Sequence, residues 1–139
     1  MKSVVTSLCL GLALGVAAHT ALGQEILIER DSQANPWTRL DLKSGAGRFH
    51  FAIVADRAGG NRAGVLAEAV RKLNLMQPAF VLSLGDLQEG YTSDPGLYRS
   101  FWEELTGLAN GLEMPFFYLP GNHDLATPAL RQEWTGRFG

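Results

Sequence analysis

The sequence is short of several things, and each shortage narrows what the chain can be. It has one cysteine, Cys9, in 139 residues, so no disulfide can form within the chain. Its 12 lysines and arginines do not cluster and are outnumbered by 14 aspartates and glutamates, for a formal charge of −2. That balance argues against a protein that tracks a nucleic-acid backbone, which normally carries a basic stripe or patch. Repeats and low-complexity runs are missing. The only loose stretches are a polar segment at Asp31 to Pro36 and a glycine-rich turn at Ser44 to Gly47. No apolar run is long enough for a spanning helix of about 20 residues, because His19-Thr20 interrupts the one that opens the chain.

That opening run has the form of a secretory signal peptide over residues 1–23. Lys2 supplies the positive start, Val4 to Ala18 is almost wholly apolar or small, and Ala21-Leu22-Gly23 offers a small-x-small cleavage site before Gln24. The expected location is exported, periplasmic or extracellular, with no stable membrane anchor after cleavage. Cys9 leaves with this segment, and Thr6-Ser7-Leu8 before it makes a poor and unusually early lipobox. The mature chain therefore has no cysteine, and its stability must come from packing and from any bound metal. Residues 24–139 amount to at most one domain. Residues 24–48 read as leading strands and loops, with short strands over Glu25 to Glu29 and Trp37 to Leu42. Trp37 fits packing better than binding.

From residue 49 onward, apolar runs alternate with helical periodicity. Phe49 to Ala55 predicts a strand, and a helix capped by Asn61 runs to about Met76 with Val65, Leu66, Ala69, Val70 and Leu73 on one face. Pro78 ends it, and Phe80 to Leu84 predicts the second strand. Strand, helix, strand in this order implies parallel pairing. A loop, Leu87 to Ser93, carries Glu89 and Tyr91. Asp94 then caps a second helix with Pro95 at its first position, and Asn110-Gly111 stops it. Its stripe of Leu97, Tyr98, Phe101, Trp102, Leu105 and Leu108 reads as core. Met114 to Leu119 predicts the third strand, and Thr127-Pro128 opens a last helix ending near Gly136. The fold class is α/β, with a mixed sheet flanked by helices.

Each of the three apolar strands ends in polar chemistry. The first runs into Asp56-Arg57-Ala58-Gly59-Gly60, the second into Gly85-Asp86-Leu87, and the third, through Pro120, into Gly121-Asn122-His123-Asp124. Parallel strands deliver these groups to one sheet edge, the usual ligand-binding edge of an open α/β sheet. Carboxylate and amide oxygens with an imidazole suit divalent metals. The competing reading takes each as a solvated or capped turn, since Gly, Asn and Asp favour turns. The ordered set over residues 49–139 resembles the calcineurin-like metallophosphoesterase family, whose GDL and GNHD motifs likewise follow strands.

The resemblance implies a partial metallophosphoesterase fold, half of a two-sheet sandwich, holding two divalent ions (Mn, Fe, Zn or Mg). Asp86 is the candidate bridging ligand, Asp56 a ligand to one ion and Asn122 to the other. His123 would stabilise the phosphoryl group or protonate the leaving oxygen, with Asp124 orienting the imidazole. Arg57 is a weaker candidate for contacting substrate phosphate, against a structural ion pair. Two features depart from the family pattern. Ala58 stands where a histidine is commoner, and His50, six residues back along a strand and so about 20 Å away at ~3.3 Å per residue, cannot replace it. The histidines that family members add from later strands are also missing. Residues 49–139 thus read as the truncated amino-terminal part of the domain, with weak metal binding, little activity and an exposed apolar sheet face. The expected function is metal-dependent hydrolysis of a phosphate mono- or diester. The alternative is a non-catalytic extracytoplasmic binding module.

Overall fold

A computed structural model describes residues 34–42, 47–92 and 94–139. The expected signal peptide and the strand over Glu25 to Glu29 lie outside them. Three strands, β1 (Ala52–Val54), β2 (Val81–Ser83) and β3 (Phe116–Phe117), alternate with three helices, α1 (Val65–Met76), α2 (Pro95–Asn110) and α3 (Pro128–Phe138). The fold is α/β.

The strands pair in the order β1-β2-β3, all parallel, with Ala52 opposite Val81 and Val81 opposite Phe116. The expected mixed sheet is thus parallel among the named strands, because a helix intervenes between each consecutive pair. Among the described residues an antiparallel bridge, Trp37 to Phe117, adds to it. In place of the predicted strand over Trp37 to Leu42 there are bridge residues at Trp37 and Asp41; beside Trp37, Tyr118 N–H donates to the Pro36 carbonyl (2.7 Å) and Thr38 N–H to the Phe116 carbonyl (2.9 Å).

Strand alternation sorts the sheet into two unlike faces. Val81, Ser83, Phe116 and Tyr118 point toward the helices and are buried. Tyr98, Trp102, Leu105 and Ala109 of α2 meet them, with Leu130, Trp134 and Phe138 of α3. Trp102 is fully buried and contacts Tyr98, Tyr118, Trp134 and Phe138 at centroid separations of 5.0 to 6.4 Å. Helix α1 contributes only partly buried Leu66, Val70 and Leu73. The opposite face carries Phe49, Phe51, Ile53, Leu84 and Leu119, all exposed. Phe80 stacks on Phe51 at 5.0 Å and meets Phe117 edge-on at 5.7 Å. Parallel sheets are normally covered on both sides, and no described helix lies over this face.

Helix ends follow local chemistry where their caps are free. Asp94 Oδ1 accepts from the N–H groups of Gly96 and Leu97, and Thr127 Oγ1 from that of Leu130. α1 is different: its N-cap is Gly64, at φ 81°, with no side-chain cap. Asn61 does not cap α1 because its Oδ1 accepts from Arg57 Nε at 3.2 Å. α3 runs two residues past Gly136, to Phe138, because that ring packs on Tyr118 at 4.5 Å. Among the described residues, no helix is long and apolar enough to cross a membrane.

Candidate functional site

Parallel pairing continues past the ends of β1 and β2 and carries the first two motifs side by side. Asp56 N–H donates to the Gly85 carbonyl (3.3 Å) and Ala58 N–H to the Asp86 carbonyl (2.9 Å). Both aspartates turn the chain in the left-handed region, Asp56 at φ 54° and Asp86 at φ 52°, a conformation short polar side chains tolerate. Ala58 contributes its backbone N–H.

The second and third motifs are interlocked more tightly. A Cβ on Gly85 would lie 2.1 Å from the Gly121 nitrogen, and one on Gly121 would lie 2.1 Å from Asp86 Oδ1. Only glycine fits at either position, which lets the two loops touch through their backbones. Into this contact Asp124 inserts a buried carboxylate whose Oδ2 accepts from Asp86 N–H (2.7 Å) and Gly121 N–H (2.8 Å). Asp86 reciprocates through Oδ1, which accepts from His123 N–H at 2.9 Å. Below, the core tyrosine Tyr98 donates its hydroxyl to the Asp124 carbonyl at 2.9 Å.

This network reassigns Asp124. Its carboxylate clamps two loops and does not hold the imidazole; the reason is that Asp86 N–H and Gly121 N–H, both short of other acceptors at a tight glycine contact, converge on one of its oxygens. Burial pushes the Asp124 carboxyl above its ordinary value. The N–H groups of Gly121, Asp86 and Leu87 work against that shift, and the negative charge of Asp86 adds to it. Asp124 Oδ1 has no hydrogen-bond partner among the described residues.

The imidazole is instead held by Glu89. His123 Nδ1 lies 2.7 Å from the Glu89 carbonyl oxygen. A carbonyl only accepts, so Nδ1 carries the proton and Nε2 is left for chemistry. The Glu89 carboxylate reaches the other way, with Oε2 accepting from Gly59 N–H at 3.0 Å. Glu89 thus touches the first and third motifs from the loop of the second. Gly90 follows at φ 60°, and a Cβ there would meet the His123 carbonyl oxygen at 2.3 Å. Tyr91, also left-handed at φ 51°, sets its ring edge-to-face with His123 at 4.7 Å. Its hydroxyl accepts from Asn122 Nδ2 at 3.4 Å, so the amide presents Oδ1 elsewhere. In the sequence Glu89 and Tyr91 stand only as loop residues; the glycine between them is the one local sign of close approach.

Arg57 is turned away from this cluster. Its guanidinium pairs with Glu104 of α2 at 2.7 Å and bonds Asn61, with the side chain 12% exposed. It therefore occupies the structural ion pair that its sequence context left open. His50 sits at the opposite end of β1, where Nε2 lies 3.1 Å from the Met76 carbonyl at the end of α1.

The oxygens free at the shared edge are those of Asp56, which has no hydrogen-bond or ion-pair partner among the described residues, Asp86 Oδ2 and Asn122 Oδ1. Two carboxylates and an amide oxygen form a hard donor set suited to divalent cations. Among the described residues, no group of three or more His, Cys, Asp and Glu side chains is placed to hold a metal ion. The set therefore depends on Asn122 as its third donor. No family model, curated protein or solved structure matches the chain.

Proposed function

We propose that this chain carries a metal-dependent phosphoesterase site of the calcineurin-like kind, built on part of that family's fold. The observation that supports it is the convergence of Asp56, Asp86 and Asn122-His123 at one sheet edge, with Asp86 in the middle and bonded on both sides. Asp56, Asp86 and Asn122 would hold two divalent ions, which supply water activation and charge neutralisation at phosphorus. The chain's own residues do the rest. Asp86 keeps one oxygen on His123 N–H and so fixes the distance between the two motifs. Asp124 holds Asp86 and Gly121 in register from below. His123, protonated at Nδ1 by its bond to Glu89, offers Nε2 to exchange a proton with a leaving oxygen. The reliance on an amide as third donor favours weak metal binding and slow turnover, and it is the one observation that favours the alternative of a non-catalytic binding module.

Hydrolysis of 4-nitrophenyl phosphate by the full chain with Mn, Zn, Fe or Mg tests the proposal. Slow turnover that requires metal and disappears in Asp86→Asn is expected. Turnover independent of metal or of Asp86, or none with any of the four, leaves the binding module as the better account.

A further inference from the structure

Tyr91 is 67% exposed, yet it is held at three points. Its backbone follows Gly90 through two consecutive left-handed residues, a conformation rare for a bulky side chain. Its ring packs edge-to-face against His123 at 4.7 Å, its only ring contact among the described residues. Its hydroxyl receives the Asn122 amide at 3.4 Å. The core takes no part in holding it, so nothing in the packing of the fold requires an aromatic here. Strained backbone of this kind gathers at functional sites. A fixed, solvent-facing ring beside the imidazole, with most of its surface open, is a stacking platform for a flat group.

We infer that Tyr91 is a specificity-determining residue that selects phosphate esters carrying a planar aromatic or heteroaromatic group near the phosphate. This rests on the phosphoesterase reading of the site, and it adds a substrate class to it. Aliphatic esters would reach the same oxygens and the same Nε2 but leave the ring face in water. Two sources share the required chemistry, aryl phosphates and nucleotides. They differ in the spacing between ring and phosphate.

Matched pairs of ligands separate ring stacking from phosphate binding. Dissociation constants are measured calorimetrically on the full chain with Mg²⁺ present, for inorganic phosphate, phenyl phosphate against ethyl phosphate, and adenosine 5′-monophosphate against ribose 5-phosphate. Stacking on an aromatic side chain is expected to favour the aromatic member of at least one pair by about tenfold. The pair that shows it identifies the source. Tyr91→Phe keeps that ratio, whereas Tyr91→Ala reduces it to within about twofold. Because Tyr91 is exposed and outside the core, both variants retain the fold. If inorganic phosphate binds but neither pair shows a preference, or the preference survives in Tyr91→Ala, the inference is overturned and the phosphoesterase reading stands. If no phosphate compound binds, the reading of the site falls and the inference with it.

Discussion

The two halves of the candidate site are built differently. On the β2–β3 side, Asp86, Gly121, His123 and Asp124 are joined by three hydrogen bonds of 2.7 to 2.9 Å across a backbone contact that excludes any Cβ. On the β1 side the bonds run from backbone N–H groups, Asp56 to Gly85 at 3.3 Å, Ala58 to Asp86 at 2.9 Å and Gly59 to Glu89 at 3.0 Å, and Gly59 and Gly60 have nothing within 4 Å of a Cβ position. Both halves follow the same pattern of an apolar strand, a turn and an acid. The difference shows that one motif type can serve two ends. In the tight half the carboxylates of Asp86 and Asp124 accept backbone hydrogen bonds that hold the loops, while in the loose half the Asp56 carboxylate has no hydrogen-bond or ion-pair partner among the described residues and is left open for the proposed metal role.

The sharpest way to break this contrast is to substitute glycine in each half. Gly85→Ala puts a Cβ 2.1 Å from Gly121 N at a φ of 91°, so overpacking and backbone strain together should cost about 4 kcal/mol. Gly60→Ala meets nothing and has no left-handed φ, and should change stability by less than about 0.5 kcal/mol. Urea unfolding of both variants checks the pair; equal losses would mean that the halves are alike.

Asp124 comes next in size. Asp124→Ala strands the N–H groups of Asp86 and Gly121, at a cost of about 3 kcal/mol. Asp124→Asn is much milder, because both bonds end on one oxygen and an amide oxygen can replace it. The pH dependence has a definite sign. Burial raises the Asp124 carboxyl in the fold, so the folded state binds this proton more readily than the unfolded state. Its contribution is full below the ordinary aspartate value of about 3.9 and is lost as pH rises from there through the raised value. Unfolding midpoints between pH 4 and pH 7 should therefore show Asp124→Asn gaining on the wild type as pH increases. A constant difference would mean that Asp124 is not held up by burial.

The smallest stability effect belongs to Asp56. Asp56→Asn removes a charge with no partner among the described residues and suits the left-handed turn equally well. Stability should stay within about 0.5 kcal/mol, while metal-dependent turnover is lost. A large drop in the unfolding midpoint would place Asp56 in the same structural class as Asp86.

Much of this was legible in the sequence where one residue's local chemistry decides the outcome. Asp94-Pro95 and Thr127-Pro128 cap helices at the expected positions, and Asn110-Gly111 ends α2. β1 and β2 end with one residue intervening before Asp56 and Gly85, whereas β3 ends at Phe117, well before Gly121. What stayed hidden depends on partners far along the chain. Asn61 loses its capping role to Arg57, which is itself drawn to Glu104, 47 residues away. Asp124 binds Asp86, 38 residues away, in preference to the neighbouring imidazole. Strand lengths were overread because an apolar run reports a tendency to be buried. Phe49 and Phe51 are apolar but lie outside the ladder of β1, exposed on the uncovered face.

The central claim is that Asp86 serves both halves, as a structural acceptor through one oxygen and a metal donor through the other. Free Mn²⁺, followed by electron paramagnetic resonance during titration into the full chain, tests it directly when paired with Asp86→Asn. Asparagine can still accept from His123 N–H, so the unfolding midpoint should barely move. Mn²⁺ affinity, weak in the wild type, should fall by at least about tenfold in the variant. Equal Mn²⁺ binding by the two proteins, or none by the wild type, would contradict the account.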